Sequence, residues 1–241
     1  KNLRQFGDQE ANILSSIQSI VKYYACPKNV LEFKNYARAS LKVLKQQRYG
    51  PVWIDIPIDV QGSAMSNKNL NLNVKKKIEY VNKNNLNIQN QINEKKLKNN
   101  ISKILKKIEK SKSPLILIGS GVRNSGQISK ILDICSKKNI PISAGWNDYD
   151  LVPFTHKCYI GKPGTVGDRP GNFAINNCDL LLVLGCRLNI RQVSYNWNSF
   201  AENAYKIIVD IDKAEMSKNN LKFNLKVNSK LEYFIPKFVS E

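Results

Sequence analysis

From about residue 95 onward, short runs of consecutive apolar residues alternate with helical segments, and this alternation restricts the fold more than any other feature. Strands made only of apolar residues are buried on both faces, which is typical of parallel sheets covered by helices on each side. The strand-like runs are Leu115–Ile118, Ile140–Ser143, Leu180–Leu184 and Ile207–Ile211. The sequence therefore predicts an α/β domain with a Rossmann-like, six-stranded parallel sheet.

Small and acidic residues lie at the ends of these predicted strands. Glycine after a strand lets backbone amides approach a pyrophosphate, and an acidic residue there can accept hydrogen bonds from ribose hydroxyls. The residues are Gly119, Gly121, Ser143, Ala144, Gly145, Gly185, Arg187, Asp210 and Asp212. Because Asn124 stands where a dinucleotide fingerprint has its third glycine, the first loop alone is equally compatible with glycines that only turn the chain. The agreement of four strand ends favours a nucleotide site.

A second glycine-rich loop, Gly161–Gly167, precedes a predicted helix at Gly171–Asn177. It is either a plain surface loop or the N-terminal approach to a helix at which an anion binds. In the second case Lys162 and Arg169 help to neutralise a phosphate. The sequence leaves both interpretations open.

Two arginines and the single histidine are further candidates. Arg187 and Arg191 lie four residues apart after a predicted buried strand, and each is expected either to pair with an acidic side chain or to contact a phosphate. His156 is the only histidine, which argues against multi-histidine metal sites and zinc peptidase motifs. We expect a solvated loop histidine and no metal site.

The first 63 residues show a helix and a strand with clear boundaries. Asn29 and Glu32 resemble a capping box at a helix start, and Tyr49-Gly50-Pro51 predicts its stop. Val52–Ile56 then reads as a short buried strand. Residues 64–94 are polar and rich in asparagine and lysine, which predicts a surface linker.

The formal charge of +19 raises the possibility of nucleic-acid binding. The excess is mostly lysine spread over helical faces, arginine is scarce, and no nucleic-acid-binding motif is visible, so we expect no nucleic-acid partner. No apolar run approaches the roughly 20 residues that span a membrane, so we expect no membrane partner. The five cysteines are widely spaced without metal or redox spacing, which favours a reducing, cytoplasmic setting.

A series of motifs in this order resembles a known family. Gly50–Gly62 (GPVWIDIPIDVQG) resembles the segment that closes the pyrimidine-binding domain of acetolactate synthases and related thiamine-diphosphate enzymes. Upstream, Arg4–Glu10 and Ile20–Tyr23 are similar to stretches of the same domain. Downstream similarity to the family's central domain follows in order at Gly164-Thr165, Asn172–Ala174, Cys178–Leu182, Gly185–Arg187 and Val209–Glu215.

The resemblance implies a domain organisation. Residues 1–63 would be the C-terminal part of the pyrimidine-binding domain, and 95–237, after the linker, a central domain of the DHS-like NAD/FAD-binding type. The whole protein would be a homodimer or homotetramer that uses thiamine diphosphate and Mg²⁺. It would decarboxylate a 2-keto acid such as pyruvate and transfer the acyl unit, and the resemblance also implies a place in branched-chain amino acid biosynthesis.

Site residues also follow from the resemblance. Gln9 and Lys22 match residues near the family's substrate channel. The positions that match residues along FAD are Gly119, Gly121, Ser143, Ala144, Gly145, Gly164, Thr165, Gly185, Arg187, Arg191, Asp210 and Asp212. The family's cofactor-activating glutamate would lie before Lys1 and its GDG motif after Glu241, so no catalytic residue is assigned and the isolated chain is expected to be inactive. The alternative is a non-catalytic nucleotide-binding module that holds FAD.

Overall fold

The structure, a computed structural model, describes residues 11–46, 49–64 and 93–241. The chain divides into two compact units, Lys1–Gln89 and Asn90–Glu241. The linker predicted at 64–94 therefore falls almost entirely outside the described residues.

The first unit contains a small parallel sheet flanked by helices. Its elements are α1 (Ile13–Ile17), β1 (Tyr23–Ala25), α2 (Val30–Leu44), β2 (Val52–Ile54) and α3 (Ile58–Gln61), and β1 pairs with β2. The predicted start of α2 is confirmed, because the Asn29 side chain accepts a 2.9 Å hydrogen bond from the Glu32 amide. The prediction of a buried strand at Val52–Ile56 is wrong in two respects: β2 ends at Ile54, and Trp53 on it is 43% exposed.

The second unit alternates strands and helices as the sequence predicts. Its elements are α4 (Glu94–Lys110), β3 (Pro114–Ile118), α5 (Ser120–Ser125), α6 (Ile128–Lys138), β4 (Ile142–Ala144), a 3₁₀ segment (Trp146–Leu151), α7 (Arg169–Asn177), β5 (Leu180–Leu184), α8 (Ile190–Val193), a second 3₁₀ segment (Trp197–Ser199), β6 (Tyr205–Asp210), α9 (Lys213–Met216), β7 (Leu225–Asn228) and α10 (Leu231–Ser240). All strand pairs are parallel.

The sheet of this unit has five strands in the order β4-β3-β5-β6-β7, so the prediction of six strands is wrong. One isolated parallel bridge, between Ile142 of β4 and Tyr159, lies at the outer edge of the sheet. The Ile142 amide donates to Cys158 at 2.9 Å, and the Ile160 amide donates to Ile142 at 3.1 Å. The chain turns just before this bridge, where the Tyr159 amide donates to the His156 carbonyl, and it enters the glycine-rich loop just after it. The pairing with β4 therefore does not extend to a second residue.

Two apolar clusters cover the two faces of the sheet. Alternate strand residues such as Ile116, Leu182 and Ile207 pack with helices α4, α6 and α10 on one face. Their neighbours, such as Leu117 and Val183, pack on the other face against α7, α9 and the segment that joins β5 to β6. Strands buried on both faces leave their carboxyl ends as the place where the domain can present polar groups.

Candidate functional site

The carboxyl ends of β3, β4 and β5 lie side by side, because β3 stands between the other two in the sheet. From β3 the chain proceeds to β4 on one side and later to β5 on the other, so the direction of winding reverses here. Such a switch point is where open parallel sheets bind ligands. Most of the predicted cofactor residues follow these three strands.

The glycines at this switch point pack directly against one another. A Cβ on Gly119 would lie 2.5 Å from the Cys186 Cα, and one on Gly121 would lie 2.7 Å from the Gly185 Cα. The Gly119 amide donates to the Leu184 carbonyl at 3.0 Å, and the Gly121 amide donates to the Gly185 carbonyl at 3.0 Å. Both amides are therefore used in hydrogen bonds between the loop after β3 and the loop after β5. Because glycine has no side chain, the backbones of the two loops can approach each other closely.

The segment Ser143-Ala144-Gly145 closes β4 and is buried. The Gly145 amide donates to Ile118 at 2.8 Å, which continues the pairing beyond the strand. Ser143 is fully buried, and its Oγ has no hydrogen-bond partner among the described residues. A buried hydroxyl without a partner costs free energy, so apolar packing alone does not account for a serine at this position.

A charged network that sequence reasoning missed joins α5 to the 3₁₀ segment after β4. Arg123 donates two hydrogen bonds to Asp150, at 2.8 and 2.5 Å, and one to the Asn147 carbonyl. Its Nε lies 3.5 Å from Oδ1 of Asp148, and the Ser120 hydroxyl donates to the other oxygen at 3.1 Å. Asp148 is only 3% exposed, so this network holds a buried carboxylate at the switch point.

The two carboxylates around Arg123 are shifted in opposite directions. Burial raises the pKa of Asp148 above its ordinary value of 3.8, although the hydrogen bond from Ser120 and the charge of Arg123 oppose the shift. The hydrogen bond from Arg123 lowers the pKa of Asp150, which is exposed. The same arginine thus contacts a carboxylate that resists ionisation and one that favours it.

Asp148→Asn and Asp150→Asn are expected to change the pH dependence of stability with opposite signs. Between pH 3.8 and the raised pKa of Asp148, the folded chain binds more protons than the unfolded chain, so the wild type loses stability relative to Asp148→Asn as the pH rises. Between the lowered pKa of Asp150 and 3.8, the wild type gains stability relative to Asp150→Asn as the pH rises. Urea unfolding of the three proteins from pH 3 to 7 measures both differences, and equal signs would contradict the assignment.

The second glycine-rich loop is tied to α7 and α8. The Asn172 side chain accepts from the Gly164 amide at 2.9 Å and donates to the Gly164 carbonyl at 3.1 Å. The Thr165 amide and hydroxyl both donate to the Arg191 carbonyl, at 2.8 and 3.2 Å. The loop is thus anchored on the backbone of Arg191, which places Gly164, Thr165 and Arg191 together, and their role in a common cofactor site stays a prediction.

Arg187 pairs with an acidic side chain, one of the two possibilities that the sequence left open. Its Nε donates to Glu215 at 2.7 Å, Lys218 contacts the other Glu215 oxygen, and the Arg187 side chain is 62% exposed. Burial alone would raise the pKa of Glu215, but the hydrogen bonds and charges of Lys218 and Arg187 outweigh it and lower that pKa. Arg187 is fixed at its Nε and keeps much of its surface exposed.

Two acidic residues, Asp210 at the end of β6 and Asp212 just after it, shape the backbone around them. Asp210 accepts a 2.8 Å hydrogen bond from the Asp212 amide, and Asp212 accepts one of 2.8 Å from the Ala214 amide at the start of α9. Asn228 on β7 donates to the Asp210 and Ile211 carbonyls at 3.1 and 2.7 Å. These contacts fix the turn after β6, and contact of the two acids with a ribose stays a prediction.

Aromatic side chains border the same edge. Trp146 directly follows Gly145 and is 37% exposed, and its ring meets that of Tyr149 edge to face at 5.7 Å. The Arg191 guanidinium carbon lies 5.7 Å from the Trp146 ring centroid, and the Lys162 Nζ lies 4.6 Å from the Tyr149 ring centroid. Lys162 therefore contacts an aromatic face, and phosphate binding by Lys162 stays a prediction.

The expectation of a solvated, unpartnered His156 is wrong. Its Nε2 lies 3.0 Å from the Ser136 hydroxyl, and its Nδ1 accepts from the Cys158 amide at 3.3 Å. The residue is half-buried beside the single bridge between Ile142 and Tyr159. His156 thus shapes a turn. Its partners could not be predicted from the sequence, because both hydrogen bonds depend on how the turn folds back onto α6.

In the first unit, Lys22 is almost completely buried, with 3% of its surface exposed. Its ammonium donates to the Val43 and Gln46 carbonyls, at 3.3 and 3.2 Å, at the end of α2. A cation is favourable at this negative end of a helix. Gln9, the other residue predicted near the substrate channel, lies outside the described residues.

Within residues 11–46, 49–64 and 93–241, no helix is both long enough and apolar enough to cross a membrane. No group of three or more His, Cys, Asp or Glu side chains there could hold a metal ion.

Comparison with known proteins relates the second unit to one family. The model of the thiamine pyrophosphate enzyme central domain matches residues 101–235, more than half of the chain. The chain is 30% identical over 211 residues to probable acetolactate synthase large subunits of Methanococcus aeolicus and of Methanocaldococcus jannaschii, covering 88% of this chain and 34% of each of those proteins. It is 26% identical over 215 residues to the large subunit of Escherichia coli acetolactate synthase isozyme 1, covering 87% and 34%. The chain thus spans about a third of the length of these relatives.

Proposed function

The chain belongs to the thiamine pyrophosphate enzyme family, and from this premise we propose that the whole protein is an acetolactate-synthase-like enzyme. It decarboxylates a 2-keto acid such as pyruvate and transfers the acyl unit to an acceptor. Thiamine diphosphate, when bound, would supply a thiazolium that can take up the electron pair released by decarboxylation. The observation that carries the proposal is the family match over residues 101–235.

The finer parts of the proposal concern the whole protein. Residues 1–63 form the end of a pyrimidine-binding domain, 64–94 a linker and 95–237 the central domain. The use of Mg²⁺ belongs to the same proposal and rests on the resemblance. A homodimer or homotetramer, a cytoplasmic location and a place in branched-chain amino acid biosynthesis belong to the same proposal and rest on the resemblance.

FAD is the cofactor proposed for the central domain itself, and the described residues fit it in part. The exposed guanidiniums of Arg187 and Arg191 suit an anionic diphosphate. The Gly119 and Gly121 amides already bond carbonyl groups, so these glycines would serve FAD by their small size rather than as donors. Bound FAD would supply a diphosphate and a flavin ring able to take up two electrons.

The test uses the whole protein, purified and assayed with pyruvate. We expect acetolactate formation that requires added thiamine diphosphate and Mg²⁺, and flavin absorbance that remains with the protein after desalting. The 241-residue chain is the matched control, and it is expected to give no turnover because it contains no GDG motif.

Three results would contradict parts of the proposal. Turnover by the 241-residue chain alone would overturn the assignment of catalysis to other parts of the protein. Turnover without thiamine diphosphate would overturn the reaction class. Bound FAD without any keto-acid turnover would favour the alternative, a non-catalytic nucleotide-binding module.

A further inference from the structure

Trp146 is an aromatic residue at the switch point that the predicted cofactor set does not include. It follows Gly145 at the carboxyl end of β4, and 37% of its surface is exposed although the segment before it is buried. An indole held at the edge of a ligand-binding crevice offers a flat face on which a planar ring can stack. The position therefore suits a ligand that contains an aromatic ring.

The partner of Trp146 comes from the other side of β3. Arg191 lies in α8, after β5, and its guanidinium carbon is 5.7 Å from the centre of the indole. Because β4 and β5 are the two neighbours of β3, this contact spans the end of β3. An aromatic face and an exposed cation are thus placed together where the loops after β4 and β5 meet at the end of β3. Their chemistry suits a planar ring that is linked to a phosphate.

Both partners are held in place by their backbones rather than by their own side chains. Arg123 anchors the 3₁₀ segment that contains Trp146, through the Asn147 carbonyl and through Asp150. Thr165 anchors the Arg191 carbonyl with two hydrogen bonds. A ring that stacks on the indole therefore competes with the Arg191 guanidinium for one face but leaves these backbone contacts intact.

The first glycine loop, in contrast, is closed to an anion. Its Gly119 and Gly121 amides donate to carbonyl groups of the β5 loop. Next to it, Ser120 donates to the buried carboxylate of Asp148, which repels a phosphate. The phosphate of a ligand is thus favoured on the Arg191 side of the crevice.

We propose that Trp146 is the stacking residue for the planar ring of a nucleotide at this edge and that Arg191 neutralises the phosphate joined to that ring through its ribose or ribityl chain. The inference rests on the proposed binding of FAD, and it deepens that proposal by naming the residue that recognises the ring. FAD contains two planar rings, adenine and flavin, each joined to the diphosphate through a ribose or a ribityl chain. ADP carries only the first ring and FMN only the second, so the two ligands show which ring stacks on Trp146.

The test measures the affinity of the 241-residue chain for FAD, ADP and FMN by calorimetry. Trp146→Ala is expected to weaken FAD binding by roughly tenfold or more, since stacking on one aromatic side chain contributes about 1–3 kcal/mol. Trp146→Phe retains a flat ring and is expected to stay within about threefold of the wild type. Of ADP and FMN, the one whose ring stacks on Trp146 should show the same loss. Trp197→Phe changes a tryptophan of the same unit that packs against the apolar core, and it should bind as the wild type does.

A fluorescence measurement gives a readout in a chain that keeps Trp146. With Trp53→Phe and Trp197→Phe, Trp146 is the only tryptophan left of the three, and bound FAD is expected to quench its emission. Equal FAD affinity of the wild type and Trp146→Ala, or binding without quenching, would overturn this inference and leave the proposed cofactor intact. Absence of FAD binding by the wild type would overturn both.

Discussion

Gly119→Ala is expected to destabilise the second unit by more than about 3 kcal/mol, or to prevent its folding. The added Cβ would lie 2.5 Å from both the Cys186 Cα and the Gly185 carbonyl oxygen. These are backbone atoms at the end of β5, a strand buried along its whole length, so they cannot move aside as a flexible side chain could. The φ of −132° at Gly119 is open to alanine, so the cost comes from the lack of space alone.

Gly126→Ala and Gly62→Ala are the matched controls. At Gly126 nothing lies within 4 Å of an added Cβ, but the φ of +65° disfavours alanine, which predicts a loss of about 1 kcal/mol. At Gly62 the nearest atom is 3.5 Å away and φ is −78°, so little change is expected. Urea unfolding of the 241-residue chain, followed by circular dichroism, ranks the three variants. A Gly119→Ala chain as stable as Gly126→Ala would contradict the close packing of the two loops.

These glycines show where sequence reasoning about the site stops. The pattern of glycine after a strand correctly indicates that something approaches the backbone closely, but it does not reveal what. In the structure the neighbour of Gly119 and Gly121 is the loop after β5, more than sixty residues later in the chain. A glycine that admits a phosphate and one that admits another loop look the same in a single sequence.

The fold was predictable to the extent that it depends on local patterns. The strands Leu115–Ile118 and Leu180–Leu184 were found because every residue in them is apolar, and Pro114–Ile118 and Leu180–Leu184 are the observed bounds. The count of six strands was wrong because the apolar runs located only four strands of this sheet, and Leu225–Asn228, in which lysine and asparagine interrupt the apolar residues, was not among them. The exposure of Trp53 could not be predicted either, since a run of three residues carries too little periodicity to define its faces.

The charged network was hidden for a different reason. Arg123 and Asp150 are 27 residues apart, and the contact forms only because β3 and β4 are neighbours in the sheet. A sequence gives the residue types but not which acidic side chain after β4 is buried. That difference separates Asp148 from Asp150, two positions apart, and sets the opposite directions of their pKa shifts.

Lys22→Met is expected to destabilise the first unit by about 2 kcal/mol, the usual loss when a hydrogen-bonding charged group is removed. Methionine keeps the length and apolar stem of lysine, so the packing against Gly50 is largely preserved. What is lost is the ammonium that donates to the Val43 and Gln46 carbonyls at the end of α2. Hydrogen exchange of the amides in α2 and β1 measures the effect in the full chain.

Lys42→Met is the control, because Lys42 is an exposed lysine on the same helix and should change stability by less than about 0.5 kcal/mol. The two roles considered for Lys22 separate in the whole protein. A structural role alone lowers the protection of the amides in α2, and acetolactate formation falls only as far as folding does. A role in the substrate channel lowers turnover by the folded protein and raises the KM for the keto acid. Unchanged protection in Lys22→Met would contradict the contribution of its ammonium to α2.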